Sequence, residues 1–291
     1  KKWGEDAEEP LKDYLDELKA VQRRRSATSE ATQGVVRHLE MVAHLLRVAV
    51  WLQDAEDFIV LSEAKGVSFR PLWVAPYTEK VLSRFANQVV FMSATLGAPA
   101  SFLSHLGLQT DVGVQAFACA SPFAKERRPI RYLPVAKVTR LDPSSMGKVV
   151  QAVDQLLDTN AGKKGLVHTV SYKLAATLRQ ASRHKDRLVF HNDAFGRERA
   201  LHEFEDSEED LVLVSPSMST GVDLPHEKCR FQIICKLPFP DRSDPLIKAQ
   251  GESKLGKEMH LAETARTLCQ AYGRIMRAED DWGTTYLLDS N

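Results

Sequence analysis

Leu166-Val167-His168-Thr169-Val170, followed by Ser171-Tyr172-Lys173-Leu174, is the stretch on which the fold turns. Its first five residues are mostly β-branched or apolar, without the in-out alternation of a half-exposed strand. They read as a strand buried on both faces. A helix follows over 172–184, and Ser171 is placed to cap it; Leu188-Val189-Phe190 then starts another strand. The same alternation extends in both directions. Ile130-Arg131-Tyr132-Leu133 reads as a strand and 146–158 as a helix. Residues 197–204 read as a helix, and Leu211-Val212-Leu213-Val214 and Phe231-Gln232-Ile233-Ile234 as strands. A helix over 260–276 precedes the closing strand Thr285-Tyr286-Leu287-Leu288. Short apolar strands separated by helices predict an α/β fold whose parallel sheet is covered by helices on both faces. Such sheets place ligands at the carboxyl ends of their strands.

Nearer the start the texture differs. Leu11, Tyr14, Leu15, Leu18 and Val21 fall at helical spacing over 10–22. Val35, Leu39, Val42, Leu45, Leu46, Ala49 and Leu52 do so over 33–53, which predicts a helical hairpin up to about residue 55. Phe58–Leu61, a turn at Ala64-Lys65-Gly66 and Val67–Ala75 read as a β-hairpin. Thr78–Ala86 reads as a short helix, and Val89-Val90-Phe91-Met92 as a buried strand ending in Ser93-Ala94-Thr95.

A chain of 291 residues accommodates about two domains. Lys+Arg and Asp+Glu both number 39, so the formal charge is zero. That argues against a globally basic nucleic-acid binder and leaves room for a local basic groove. Cys119, Cys229, Cys235 and Cys269 form no CxxC, which argues against a metal centre and a disulfide framework and fits a reducing compartment. No apolar run reaches the ~18 residues of a membrane span. The opening Lys1-Lys2-Trp3-Gly4-Glu5-Asp6 is unlike a signal peptide, and without an initiator Met it is expected of a piece of a longer chain.

Four clusters follow predicted strands: Ser93-Ala94-Thr95, Ser171-Tyr172, Ser219-Thr220-Gly221-Val222-Asp223, and Gln270-Ala271-Tyr272-Gly273-Arg274-Ile275-Met276-Arg277. Ser and Thr at strand ends can bind a phosphate or a facing carboxylate, and they also serve as plain caps and turns. Gln270, Arg274 and Arg277 are four and three apart, so one continuous helix would put them on one face. Two guanidiniums there suit a polyphosphate and the charge of a phosphoryl-transfer transition state. Glu279, Asp280 and Asp281 stand near enough in sequence to pair with them instead. No GxxxxGK[ST] occurs: Gly147-Lys148 is followed by Val149, and Gly162-Lys163 by Lys164. The sequence thus carries an arginine half-site without the loop that cradles phosphates.

In this order the clusters resemble the DinG/XPD family of superfamily 2 DNA helicases. Residues 89–96 resemble motif III, Ser121-Pro122-Phe123 the entry to the second motor lobe, Val170-Ser171-Tyr172 motif IV and Gly221-Val222-Asp223 motif V. Gln270…Gly273-Arg274…Arg277, then Asp281-Trp282-Gly283 and Leu287-Leu288-Asp289, resembles motif VI. Lys236-Leu237-Pro238-Phe239-Pro240 and Ser243-Asp244-Pro245 look like the DinG branch. Thr220 stands where the family usually has Glu, and Val170 where it usually has Thr.

The resemblance implies a RecA-like lobe 2 over 119–291, the last part of lobe 1 over 57–118, and the returning end of an arch-like helical insertion over 1–56. It implies ATP and Mg2+ held mainly by lobe 1 motifs outside this sequence, and no iron-sulfur cluster in this chain. Arg274 and Arg277 would contact the γ-phosphate, with Arg277 as the arginine finger and Gly273 and Gly221 close to the nucleotide. Gln270 and Asp223 would couple nucleotide state to lobe closure, and Ser93 and Thr95 would relay it. Ser171, Thr220 and Lys173 would touch single-stranded DNA, with Arg127, Arg128 and Arg131 as further basic candidates. The implied enzyme is an ATP-dependent DNA helicase moving five-prime to three-prime, without a membrane, in the cytoplasm of a bacterium or the nucleus of a eukaryote. A translocase on RNA or nucleoprotein, and a non-catalytic binding module built on a degenerate lobe, are the alternatives.

Overall fold

Helices α1 (Lys2–Arg23) and α2 (Glu30–Asp54) pack side by side, as the two apolar stripes require. Val42, Ala49 and Leu52 are buried, and the Gln53 amide donates to the Gly4 carbonyl at 3.0 Å and to Glu8 Oε2 at 2.6 Å. Strands β1 (Phe58–Glu63) and β2 (Gly66–Pro71) form an antiparallel hairpin in which Phe58 pairs with Pro71. Trp51 packs on Phe58 at a ring separation of 5.5 Å, tying the hairpin to the helices. These elements form one unit, Lys1–Tyr77; the second unit is Thr78–Asn291. The computed structural model describes the chain apart from residues 1, 24–29, 55–56, 64–65, 83–87, 109–112, 139–141, 192–193 and 217–223.

The second unit begins with the short helices α3 (Thr78–Val81) and α4 (Pro99–His105). Residues 83–87 of the expected 78–86 helix lie outside the described residues. Val89–Met92, read above as a buried strand, is not one. It has no strand pairing, and Val90 and Met92 are 87% and 92% exposed. A strand needs a neighbour to take up its backbone hydrogen bonds, and no described strand runs beside it.

The sheet then builds as expected. Its strands are β3 (Ile130–Ala136), β4 (Gly165–His168), β5 (Leu188–Phe190), β6 (Val212–Ser215), β7 (Phe231–Ile234) and β8 (Thr284–Asp289). They are ordered β3-β8-β7-β4-β6-β5, and every pairing is parallel. Between them run α5 (Pro143–Thr159), α6 (Tyr172–Ala181), α7 (Ala194–Asp206), α8 (Pro245–Gln250) and α9 (Lys254–Tyr272). Pro134 is tolerated because β3 lies at the sheet edge.

Both faces are dry, which explains the unalternating strands. Val167, Val212, Val214 and Ile233 face Val149, Val153 and Leu157 of α5 and Leu174 and Leu178 of α6. Leu166, Val189 and Leu213 face the other way, onto Ala200 and Phe204 of α7 and onto Ile275 and Met276. A buried side chain of this size contributes roughly 1.5–3 kcal/mol by leaving water. The central contact is close: a Cβ on Gly165 would lie 2.4 Å from the Phe231 ring, so only glycine lets that ring fill the space over β4. At the carboxyl edge, buried Asp289 accepts from the amides of Val138 and Leu237 at 3.3 and 2.9 Å. It thereby holds the start of the 237–240 segment against the sheet.

Candidate nucleotide and nucleic-acid site

The arginine cluster is not on one continuous helix. Helix α9 ends at Tyr272, Arg274 lies in the 3-10 turn Gly273–Ile275, and Arg277 lies beyond that turn. The expected 260–276 helix is thus corrected, and with it the shared face. Past the turn, Asp281, fully buried, accepts from the amides of Arg277 at 3.1 Å and Ala278 at 3.4 Å. The two arginines remain three residues apart in sequence. Burial first, and then the positive charge of Arg277, push the Arg274 pKa below the usual arginine value. A guanidinium stays charged in a protein, so an anion between the two would relieve both the repulsion and part of the desolvation.

Gly273 has φ −68°, and a Cβ there would meet nothing within 4 Å. Neither backbone geometry nor packing requires glycine at this position. Gln270 donates through Nε2 to Thr95 Oγ1 at 3.2 Å, joining the helix to the Ser93-Ala94-Thr95 turn 175 residues away. Ser93 serves that turn, its hydroxyl accepting from the Thr95 amide at 3.2 Å. Ser171 is the N-cap of α6, accepting from the Leu174 amide at 3.3 Å. Lys173 is exposed on the first turn of that helix. Gly221, Asp223 and Thr220 lie outside the described residues.

The other basic candidates do not form one stripe. Arg127 donates to the Glu279 carbonyl at 3.2 Å, and Arg128 lies over the Tyr272 ring. Both therefore support the arginine turn. Arg131 is exposed near the amino end of edge strand β3, whereas Lys173 follows the carboxyl end of β4, three strands across the sheet.

Beneath the turn lies a polar network that residue-type reasoning missed. Gln232, fully buried on β7, donates to Thr285 Oγ1 at 2.9 Å and to the Tyr272 carbonyl at 3.4 Å. Its Oε1 therefore faces His168 Nε2, 3.2 Å away, so that nitrogen carries the imidazole proton. Burial, then the charge of Arg274, outweigh the Gln232 bond and lower the His168 pKa to about 4. The available signal was a polar residue inside an unbroken apolar run, in Leu-Val-His-Thr-Val and Phe-Gln-Ile-Ile. Asp281 also has a different partner from the one expected. Its carboxylate pairs with the Arg230 guanidinium at 2.9 Å, and Glu279 and Asp280 are exposed.

Residues 155–291 match the family of helicase C-terminal domains. The chain is 26% identical to the ATP-dependent DNA helicase YoaA of Escherichia coli, over 77% of this chain and 36% of that protein. It is equally, 26%, identical to a Bacillus subtilis protein named 3'-5' exonuclease DinG, over 83% of this chain and 27% of that protein. The solved structure of Xpd4 from S. tokodaii, 17% identical, matches with a TM-score of 0.57 over 91% of this chain and 56% of that one. Residues 155–291 thus resemble helicase C-terminal domains, and the curated relatives are named YoaA and DinG. The parallel sheet accordingly has the fold seen in the XPD helicase structures. The chain spans 36% and 27% of the lengths of these two relatives.

Proposed function

We propose that this chain is the arginine-bearing part of an ATP-dependent DNA helicase. In this reading residues 119–291 are lobe 2, 57–118 the end of lobe 1 and 1–56 the end of an arch-like insertion. The supporting observation is that Arg274 and Arg277 follow closely on the helix that carries Gln270, which is bonded to Thr95. Arg277 acts as the arginine finger and Arg274 as a γ-phosphate ligand; their positive charge stabilises the phosphoryl-transfer transition state. Gly273 gives the nucleotide close access, with Gly221 and Asp223 as further contacts. The Gln270–Thr95 bond reports lobe closure to the Ser93–Thr95 turn. Ser171, Thr220 and Lys173 meet the backbone of single-stranded DNA, along which the enzyme moves five-prime to three-prime in the cytoplasm, or in the nucleus of a eukaryote.

The donors in the described turn suit phosphate oxygens. Among the described residues no His, Cys, Asp or Glu group gathers to hold a metal. Mg2+ would be held by the lobe 1 motifs, where it offsets phosphate charge. This chain's own share is to position two cations and to sense closure.

The test is steady-state ATPase, with and without single-stranded DNA, on the full-length protein that carries this chain. DNA is expected to stimulate turnover, and Arg277→Ala to reduce it about 10³-fold or more, as loss of an arginine finger does. Unchanged turnover in the variant rejects the assignment in favour of a non-catalytic module. The chain 1–291 by itself is expected to hydrolyse no ATP.

A further inference from the structure

We infer that Asp281 is a positioning residue for Arg277: its buried carboxylate fixes the backbone from which the arginine is presented and locks that backbone to the Leu224–Arg230 turn. This deepens the functional reading above and rests on it. The carboxylate accepts from four donors in two separate segments. Arg277 and Ala278 donate their amides at 3.1 and 3.4 Å from the arginine turn. His226 donates its amide at 3.1 and 3.3 Å to the two oxygens, and Arg230 its Nη1 at 2.9 Å, from the segment entering β7.

Each segment has a reason to need the clamp. His226 is held at φ 54°, in the left-handed region that a side chain disfavours, with its amide aimed at the carboxylate. The Arg277 side chain is exposed, and the backbone from which it starts is held by Asp281. Arg230 is itself fixed by Glu227 at 2.6 Å and by stacking 4.7 Å over the Trp282 ring. Burial opposes ionisation of Asp281, but the three amides and the Arg230 charge outweigh it and hold the pKa below the ordinary carboxylate value. The group is therefore a permanent anion at neutral pH, able to orient four donors at once.

The test is a double-mutant cycle in the full-length protein, with ATPase kcat and KM measured at saturating single-stranded DNA. Asp281→Asn turns one acceptor into a donor facing other donors. It is expected to lower kcat on the order of 10²-fold, the scale of a misplaced catalytic group, while KM for ATP changes little. Added to Arg277→Ala, it is expected to cost nothing further, because the group it places is already gone. A purely structural role predicts losses that multiply in the double variant, and that result overturns the inference while leaving the arginine finger intact. An inert Arg277→Ala overturns both. Should Asp281→Asn fail to fold, Arg230→Met carries the same cycle: it removes the orienting cation and keeps an apolar stem against Trp282. Its loss must likewise vanish in the Arg277→Ala background, and a multiplied loss overturns the inference.

Discussion

The buried imidazole of His168 makes stability fall in a defined pH window. In the folded chain its pKa is about 4, against 6.5 when free. Between those values the unfolded chain binds a proton that the folded chain refuses. Stability therefore rises with pH across the window and is lost as pH falls through it. The gap of 2.5 pH units (6.5 minus 4), at about 1.4 kcal/mol per unit and allowing for partial titration at each end, is about 3 kcal/mol between pH 7 and 4. The assay is urea unfolding of the 1–291 chain at pH 7, 6, 5 and 4 by far-ultraviolet circular dichroism, beside His168→Gln. Glutamine retains a donor for Gln232 and does not titrate, while every other group titrates alike in both chains. The wild-type advantage at pH 7 should shrink by about 3 kcal/mol by pH 4. An advantage that stays constant over that range refutes a neutral, dry His168 and with it the His168–Gln232 bond.

Gly165→Ala should lower the stability of the chain by about 1–3 kcal/mol, the range for an overpacked core, because its methyl would enter the Phe231 ring; an unchanged urea midpoint rejects that contact. Gly273→Ala should leave the midpoint unchanged, since its methyl meets nothing, yet reduce ATPase of the full-length protein if nucleotide approaches that backbone. Unchanged activity removes Gly273 from the site. Of the four thiols, Cys119 and Cys269 are exposed and should react with Ellman's reagent at once. Cys229, pushed up to about 12 by burial, and Cys235, pushed higher still, should react only after denaturation.

What could be read in the sequence follows from how local each cause is. Phe231–Ile234 was legible as a strand because burial on both faces leaves an unbroken apolar run. The Ser171 cap was legible because its partner lies three residues away. The end of α9 was not, because Gln270, Arg274 and Arg277 keep good helical spacing past Tyr272, where the helix stops. Val89–Met92 has the composition of a strand, but pairing is a property of neighbours, and composition does not supply them. Arg230 as the partner of Asp281 was hidden for the same reason: 51 residues separate the two, while nearer arginines offered a plausible pair.

The placement of the buried polar groups bears on what this lobe is built to do. An all-apolar sheet would avoid the desolvation of His168, Gln232, Thr285, Arg230 and Asp281, all of which are buried. These groups are not scattered. Gln232 reaches the Tyr272 carbonyl and the His168 ring, and Asp281 holds the Arg277 amide. Two separate networks, one from the middle of the sheet and one from its amino edge, thus converge on the segment from Tyr272 to Arg277. Buried hydrogen bonds specify one geometry more sharply than apolar packing does, although His168 Nδ1 and Arg230 Nε have no partner among the described residues. Phosphoryl transfer depends on positioned charge more than on covalent chemistry by the protein. A lobe that only gripped nucleic acid would gain little from fixing two arginines so tightly, because phosphate contacts of that kind tolerate variation in the position of the cation. The cost of these buried groups is therefore intelligible if the arginine turn must meet a transition state.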